Sequence, residues 1–73
     1  MGKSTRQQLG RRIRRLRENH GLSQRKFALM IGMDRSYLIS VEGGKRNIAL
    51  DNLEKISRGL DISISELFEG VGD

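Results

Sequence analysis

The chain has 73 residues, contains neither cysteine nor proline, and carries a formal net charge of +5 at pH 7. A chain of this length has room for one small domain over residues 1–73 and buries only about two-thirds of its unfolded surface, so a large catalytic cleft is not expected. Without cysteine, a disulfide framework, a thiolate metal site and a cysteine nucleophile are excluded. No apolar run approaches the roughly 20 residues that span a bilayer, and the first residues lack the hydrophobic segment of a signal peptide, so we expect a cytoplasmic protein.

Positive charge is concentrated in the first part of the chain. Residues 1–46 contain 12 Lys and Arg against three acids, a net charge of +9, whereas residues 47–73 contain Lys55 and Arg58 against six acids, a net charge of −4. A polyanion such as nucleic acid is the expected partner of the basic part, because each neutralised phosphate releases counterions. A merely solvated basic surface is the alternative that charge alone leaves open.

Helical spacing predicts an amphipathic first helix from about Thr5 to His20. Leu9, Ile13 and Leu16 recur at the period of one helix face, and arginines occupy the other faces. Gly21 follows at a position suited to a left-handed C-terminal cap. Residues 1–8 are expected to form a flexible basic arm and the start of this helix.

Two short helices separated by a glycine turn are predicted next. Ser23 is a good N-cap for a helix from Gln24 to Ile31, which Gly32 ends. Asp34 can cap a third helix, "RSYLISVE", which stops at the double glycine of residues 43 and 44.

The C-terminal third predicts two further helices. A fourth helix is predicted in "ALDNLEKISRGL" by one apolar stripe, formed by Leu50, Leu53, Ile56 and Leu60. Ser63 or Ser65 can cap a short fifth helix that ends at Phe68, and the glycine-containing tail of residues 70–73 is expected to fray. No segment shows the sustained alternation of a half-buried strand, so the predicted fold is all-α with five short helices.

The third helix has one apolar side and one side made of small residues. Leu38 and Val41 lie roughly 60° apart at about 100° per residue, so both can face the core. The opposite side carries Ser36, Ser40 and Gly43 with Ile39 beside them, and the flanking cations are Arg35, Lys45 and Arg46. Such a low-profile face can enter the major groove of DNA while the cations meet phosphates, whereas an ordinary solvated helix is the alternative.

Together with the second helix and the turn "IGMD", the third helix forms a predicted helix-turn-helix unit. From Ile13 to Phe68 the sequence resembles the Cro and phage-repressor type of helix-turn-helix proteins, also called the XRE family. The matching segments are "IRRLRENHGLSQRKFA", the Gly32 turn, "RSYLISVEGGKRN" and "LDNLEKISRGLDISISELF". The resemblance implies a five-helix, lambda-repressor-like domain that binds double-stranded DNA, usually as a homodimer on a near-palindromic operator. The resemblance leaves open whether this is a phage-type protein, a restriction-modification controller protein or the DNA-binding part of a longer protein.

The resemblance also implies the roles of individual residues. The family's base-reading positions match Arg35, Ser36 and Ser40, and Ile39 could contact a thymine methyl group or be a tolerated apolar exposure. The implied phosphate-contacting residues are Gln24, Tyr37, Lys45, Arg46 and Asn47. For Gln24 the alternative is a polar side chain left to solvent, and for Tyr37 it is packing against the second helix.

Four residues depart from the family pattern. Ile39 stands where related sequences often have serine, and Ile48 where they often have proline. Leu29 and Met30 occupy positions that the family usually gives to polar residues. We expect these two side chains to extend the core, with a partner-binding surface as the alternative.

Two further sets of residues have implied structural roles. Arg17 and Glu42 match a pair that ties the first helix to the end of the third. We expect an ion pair of modest energy there, since exposed pairs contribute about 0 to 1 kcal/mol, with two solvated charges as the alternative. Ile64, Leu67 and Phe68 are the candidates for a dimer contact, although some of them must close the core.

No catalytic, metal or cofactor site is expected. "GKST" at residues 2–5 lacks the strand and upstream glycine of a phosphate-binding loop, and His20 lacks partner ligands. The main alternative to a transcriptional regulator is an antitoxin that binds a partner toxin and represses its own operon. Binding to membrane surfaces is the weaker third possibility, because the apolar residues of the first helix are needed for the core.

Overall fold

The computed structural model describes residues 4–72, and these residues form five α-helices joined by short loops. The helices span Thr5–Asn19 (α1), Gln24–Ile31 (α2), Arg35–Glu42 (α3), Leu50–Gly59 (α4) and Ile64–Leu67 (α5). No strand occurs within residues 4–72, so the predicted all-α class and the order of the elements are confirmed. None of these helices is both long and apolar enough to cross a membrane.

Short polar side chains define where the helices begin. Ser23 caps α2 by accepting the Lys26 amide, and Asp34 caps α3 by accepting the Ser36 amide. Of the two serines considered for α5, Ser63 is the cap, and its side chain accepts the Glu66 amide. Each cap satisfies a backbone donor that has no partner inside the helix, which is why the starts of the helices could be predicted from sequence.

The hydrophobic core lies where α1, α2, α3 and α4 meet, with α5 closing one end. Phe27 of α2 is its largest fully buried side chain, and Leu38 and Val41 of α3 are buried as expected. The other buried apolar residues are Leu9, Ile13, Ala28, Met33, Leu53, Ile56, Leu60 and Leu67. The core therefore holds α3 by its inner face and leaves its outer face in solvent.

Three apolar residues predicted to pack do not. Leu29 and Met30 are 81% and 53% exposed, so the expectation that they extend the core is wrong. Phe27 and Ala28 fix the buried face of α2, and at about 100° per residue Leu29 points away from that face. Leu50 is 65% exposed because it is the first residue of α4, one turn before the buried Leu53.

Helix α1 approaches the end of α3 closely at Gly10, which is buried. A Cβ atom at this position would lie 2.5 Å from the Val41 carbonyl oxygen and 2.6 Å from the Glu42 carbonyl oxygen. Only glycine permits this approach without moving one backbone against the other. The position of α3 against α1 therefore depends on having glycine, which has no side chain, at residue 10.

Replacing Gly10 with alanine is expected to lower the free energy of unfolding by about 1 to 2 kcal/mol, because the methyl group overpacks a backbone contact. Gly43 is the matched control: it has negative φ, and a Cβ there would lie 3.4 Å from its nearest neighbour, an ordinary contact. Urea unfolding followed by circular dichroism compares the two variants. Equal stability of Gly10→Ala and Gly43→Ala would contradict the proposed close approach.

Both ends of the described chain make contacts. Val71 packs against the core and the Gly72 amide donates a 2.6 Å hydrogen bond to Gln8 Oε1, while fraying of the tail stays a prediction. Residues 5–8 already belong to α1, whose first turn is closed by a capping box between Ser4 and Gln7. The remainder of the predicted arm, residues 1–3, and residue 73 lie outside the described residues.

Candidate nucleic-acid interface

The turn between α2 and α3 fixes the relative orientation of the two helices. Gly32 adopts the left-handed conformation at φ +67°, which ends α2 without the strain that a Cβ atom would cause. The next residue, Met33, is buried and donates its amide to the Ala28 carbonyl at 2.8 Å. Asp34 then starts α3, so the predicted helix-turn-helix unit is present.

The outer face of α3 carries the residues predicted to contact bases. Arg35, Ser36 and Ile39 are exposed on this face, and Ser40 is half-buried beside them. Ile39 is 43% exposed, which leaves its apolar side chain available for a contact such as a thymine methyl group. The structure brings these four side chains together on one accessible helix face.

Hydrogen bonds within α3 hold both of its serines. Asp34 Oδ1 accepts from the Ser36 amide at 2.8 Å and from the Ser36 hydroxyl at 2.7 Å. The hydrogen bond from the Ser36 side chain is the largest cause that lowers the pKa of the Asp34 carboxyl below its usual value. One turn later, the Ser40 hydroxyl donates to the Ser36 carbonyl at 3.0 Å. Both hydroxyl protons therefore have acceptors within the protein.

The loop after α3 presents a second set of predicted contacts. Gly44 adopts φ +73°, and a Cβ atom there would lie 2.7 Å from Gln7 Cα, so the loop passes directly beside the start of α1. The Lys45 amide closes the end of α3 by donating to the Ser40 carbonyl at 3.0 Å. Lys45, Arg46 and Asn47 are all exposed. This places three polar side chains, two of them cationic, beside the exposed face of α3.

Tyr37 lies between the core and the basic loop. Its ring is half-buried against the core, and the Arg46 guanidinium carbon lies 5.0 Å from the ring centroid, within the range of a cation–π contact. A shallow depression of about 420 Å³ adjoins this pair, and its lining includes Ser40, Asn52 and Lys55. Lys55 was not among the predicted site residues, because it lies in the acidic part of the sequence and only the fold brings it to the basic face.

A buried ion pair attaches the end of α3 to the rest of the domain. Arg17 Nε lies 2.7 Å from Glu42 Oε2, and Arg17 Nη2 lies 2.9 Å from Glu42 Oε1. Arg17 also donates from Nη1 to the Leu22 carbonyl at 2.6 Å. The hydrogen bond to Glu42 raises the pKa of Arg17 above its usual value, despite the opposing effect of burial.

This ion pair differs from the expected one in its burial. Arg17 and Glu42 are only 5% and 8% exposed, so the assumption that the pair is exposed is wrong, and the energy expected of exposed pairs does not apply to it. Removal of one partner of a buried pair leaves an uncompensated charge, which is costly. Gln24 belongs to the same network, since its Nε2 atom donates to Glu42 Oε1 at 2.9 Å, and it is therefore not a side chain left to solvent.

The start of α2 adds cations that were not among the predicted site residues. Arg25 and Lys26 are exposed in its first turn, and this turn contains no acidic residue. The first amides of a helix and the positive end of its dipole both favour an anion at this position. The signal was present in the sequence, because the Ser23 cap and two following cations mark a basic helix start.

The candidate dimer contacts in the C-terminal helix separate into two kinds. Leu67 is fully buried and is therefore one of the residues that close the core, while the dimer contact itself stays a prediction. Ile64 and Phe68 remain partly exposed, although Phe68 also packs against the core. Because α5 covers one end of the core, one of its apolar residues must pack there.

Comparison with protein families places this geometry in a known group. A family model described as Helix-turn-helix matches residues 13–67. The control protein C.MunI from a Mycoplasma species is 52% identical over 63 residues, which cover 85% of this chain and 85% of that protein. The control protein C.BamHI from Bacillus amyloliquefaciens is 36% identical over 61 residues, covering 82% of this chain and 75% of that protein.

Solved structures give the same result. The restriction-modification controller protein C.AhdI from Aeromonas hydrophila superposes with a TM-score of 0.82 at 47% identity, over 85% of this chain and 94% of that one. The controller protein C.Esp1396I, solved as a tetramer with its natural 35 base-pair operator, superposes with a TM-score of 0.82 at 28% identity, over 94% of this chain and 91% of that one. The protein described here therefore belongs to the XRE-type helix-turn-helix family of DNA-binding transcriptional regulators.

Proposed function

We propose that this protein is a restriction-modification controller that binds a near-palindromic operator as a homodimer and represses transcription, without a cofactor or catalytic activity. The observation that carries the proposal is the outer face of α3, where Arg35, Ser36 and Ile39 are exposed between basic segments. The names of the relatives C.MunI and C.AhdI support the controller role. A regulator of this kind acts on DNA inside the cell, which agrees with the expected cytoplasmic location.

In the proposed complex, α3 lies in the major groove and its exposed side chains meet base edges. The basic start of α2 lies against the backbone on one side, with Gln24 and the adjacent cations near a phosphate. Lys45, Arg46 and Asn47 lie along the backbone beyond the other end of α3, and Tyr37 contacts phosphate through its hydroxyl. The buried Arg17–Glu42 pair holds the end of α3 against α1.

The antitoxin alternative has no support from the relatives, which are control proteins and transcriptional regulators. The exposed side chains of Leu29 and Met30 are compatible with a protein partner but do not indicate which one. The membrane alternative is weakened by Leu9 and Ile13, which are buried in the core and unavailable for insertion.

Selection of bound sequences from a random duplex library tests the proposed function. We expect enrichment of two half-sites related by two-fold symmetry, with centres about 34 Å or one helical turn apart, because a dimer presents two copies of α3. Sedimentation of the complex should give two chains per site. Selected sequences without symmetry, bound by one chain, would contradict the dimer, and the absence of any enrichment would contradict sequence-specific binding.

Loss of Lys45 or Arg46 is expected to weaken binding to all duplexes and to reduce the slope of log K against log salt by about 1, because each removes one phosphate contact. Arg11→Ala is the matched control, since Arg11 is also exposed but borders the C-terminal turn near Val71 instead of α3. Titrations at several salt concentrations measure the slopes. A slope unchanged by Lys45→Ala and Arg46→Ala would show that the loop does not lie on the backbone.

A further inference from the structure

The serine hydroxyls on the exposed face of α3 both donate to acceptors within the protein. The Ser36 hydroxyl donates its proton to Asp34 Oδ1 at 2.7 Å, and the Ser40 hydroxyl donates its proton to the Ser36 carbonyl at 3.0 Å. A hydroxyl has one proton and two acceptor lone pairs. While these hydrogen bonds are kept, both serines offer only acceptor lone pairs to an incoming ligand.

The constraint is stronger at Ser36 than at Ser40. The acceptor of the Ser36 proton is an ionised carboxylate, and a hydrogen bond to such a group is roughly twice as strong as one between neutral groups. The same carboxylate oxygen also accepts the Ser36 amide at 2.8 Å as the N-cap of α3, so the helix start itself holds it in place. The Ser40 bond is the ordinary bond of a helical serine to the preceding turn, which is weaker.

An acceptor-only hydroxyl distinguishes bases by their exocyclic groups. In the major groove adenine and cytosine present amino donors, at N6 and N4, whereas guanine and thymine present keto acceptors, at O6 and O4. A phosphate group likewise presents only acceptor oxygens, which a hydroxyl that can only accept does not bind. Ser36 is therefore matched to an amino base, and mismatched to a keto base or to the backbone.

We infer that Asp34 makes Ser36 a specificity-determining acceptor that selects adenine or cytosine over guanine or thymine at one position of each operator half-site. The inference rests on the proposed docking of α3 in the major groove and deepens it. Asp34 acts as a positioning residue, because it works through Ser36 and does not itself meet the base.

The neighbouring Arg35 side chain can only donate hydrogen bonds. Its guanidinium carries donors and no acceptor, so it is matched to the O6 and N7 acceptors of guanine. The start of α3 thus presents a donor-only side chain directly followed by an acceptor-only side chain. Each half-site is expected to combine a guanine that faces Arg35 with an amino base that faces Ser36.

The first experiment uses the wild-type protein and its selected operator. Ser36→Ala identifies the base that faces Ser36, as the one position at which preference is lost. We expect adenine or cytosine there, and a transition to guanine or thymine should weaken wild-type binding at least about fivefold. Replacing that base with purine or 2-pyrimidinone, which lack only the amino group, should weaken binding about threefold to tenfold.

The second experiment tests the role of Asp34 through the ratio of affinities for the amino-base and keto-base operators. Asp34→Ala frees the Ser36 hydroxyl to donate, so the ratio should fall to within about twofold of one, even though loss of the N-cap weakens binding to both duplexes. Asp34→Asn is the conservative control, because its side-chain oxygen still accepts both hydrogen bonds, and it should keep a preference for the amino base, with a smaller ratio than the wild type because the acceptor is no longer charged.

Several outcomes would overturn the inference. These are a keto base selected opposite Ser36, no position that responds to Ser36→Ala, or a ratio that Asp34→Ala leaves unchanged. If Asp34→Ala does not fold, the operators that lack the amino group still test the inference. A wild-type affinity that does not change when the amino group is removed would contradict the proposed contact. Failure of the wild type to enrich any duplex would overturn the DNA-binding function and this inference together, whereas enrichment with a keto base overturns the inference alone.

Discussion

Replacing Arg17 with alanine is expected to lower the free energy of unfolding by about 3 to 5 kcal/mol, the usual cost of leaving one charge of a buried pair uncompensated. The Glu42 carboxylate would lose both bonds from the guanidinium, and the Leu22 carbonyl would lose its donor. Gln24 still donates to Glu42, but one amide bond does not balance a buried negative charge. Denaturant unfolding of the two proteins measures the difference.

Arg14→Ala provides the matched control on the same helix. Arg14 pairs with Glu18 one turn away at 3.2 Å, and these side chains are 64% and 55% exposed. Loss of an exposed pair at this spacing should cost only about 0.3 to 0.5 kcal/mol. If Arg17→Ala and Arg14→Ala lose similar amounts of stability, the buried pair does not hold α3.

The same variant separates stability from recognition. Arg17 lies behind α3 and contacts its last residue, so its loss does not alter the side chains that would meet bases. At a temperature where Arg17→Ala remains folded, the order of preference among operator variants should match that of the wild type. A changed base preference with unchanged stability would instead assign Arg17 to the interface.

The fold could be predicted from the sequence because its signals are local. Ser23 and Asp34 each cap a helix by accepting an amide three or two residues further along the chain, and Gly32 adopts the positive φ that ends α2. Leu38 and Val41 lie on one face at helical spacing, which already indicates that the opposite face of α3 is free. Each of these inferences needs only neighbouring residues.

What could not be predicted depends on which faces meet in three dimensions. Burial of the Arg17–Glu42 pair follows from the close approach of α1 to α3 at Gly10, and a sequence pattern does not reveal how near two helices lie. In α5, Leu67 and Phe68 are adjacent apolar residues, and only the packing decides that Leu67 is fully buried. Local rules therefore predict helices and caps, while contact between elements decides burial.

The candidate site shows the same division. The exposed face of α3 follows from its periodicity, so Arg35, Ser36 and Ile39 could be assigned before the fold was known. Lys55 joins this surface only because α4 passes beside Tyr37 and Arg46. The net charge of a sequence segment is therefore a poor guide to the charge of a surface when that surface is assembled from several helices.

Replacing Arg35 with alanine is expected to weaken binding to the preferred operator by about 1 to 3 kcal/mol, or roughly fivefold to 150-fold, and to relax preference at one base pair of each half-site. Arg35 is exposed in the first turn of α3, where its guanidinium can reach guanine O6 and N7 in a bidentate contact. Ile39 and the short serines discriminate less, so Arg35 should carry the largest specific contribution.

Arg35→Lys distinguishes this role from a phosphate contact. Lysine keeps the charge but lacks the rigid fork, so a base reader should lose most of its preference for guanine while the salt dependence stays that of the wild type. A phosphate contact would instead be largely restored by lysine, and its loss in Arg35→Ala would weaken every duplex equally and reduce the salt slope by about 1, as expected for Lys45→Ala. Affinities of Arg35→Ala, Arg35→Lys and Lys45→Ala across operator mutants and salt concentrations distinguish the two roles. Equal weakening of all duplexes by Arg35→Ala would show that Arg35 contacts the DNA backbone and that the guanine contact is wrong.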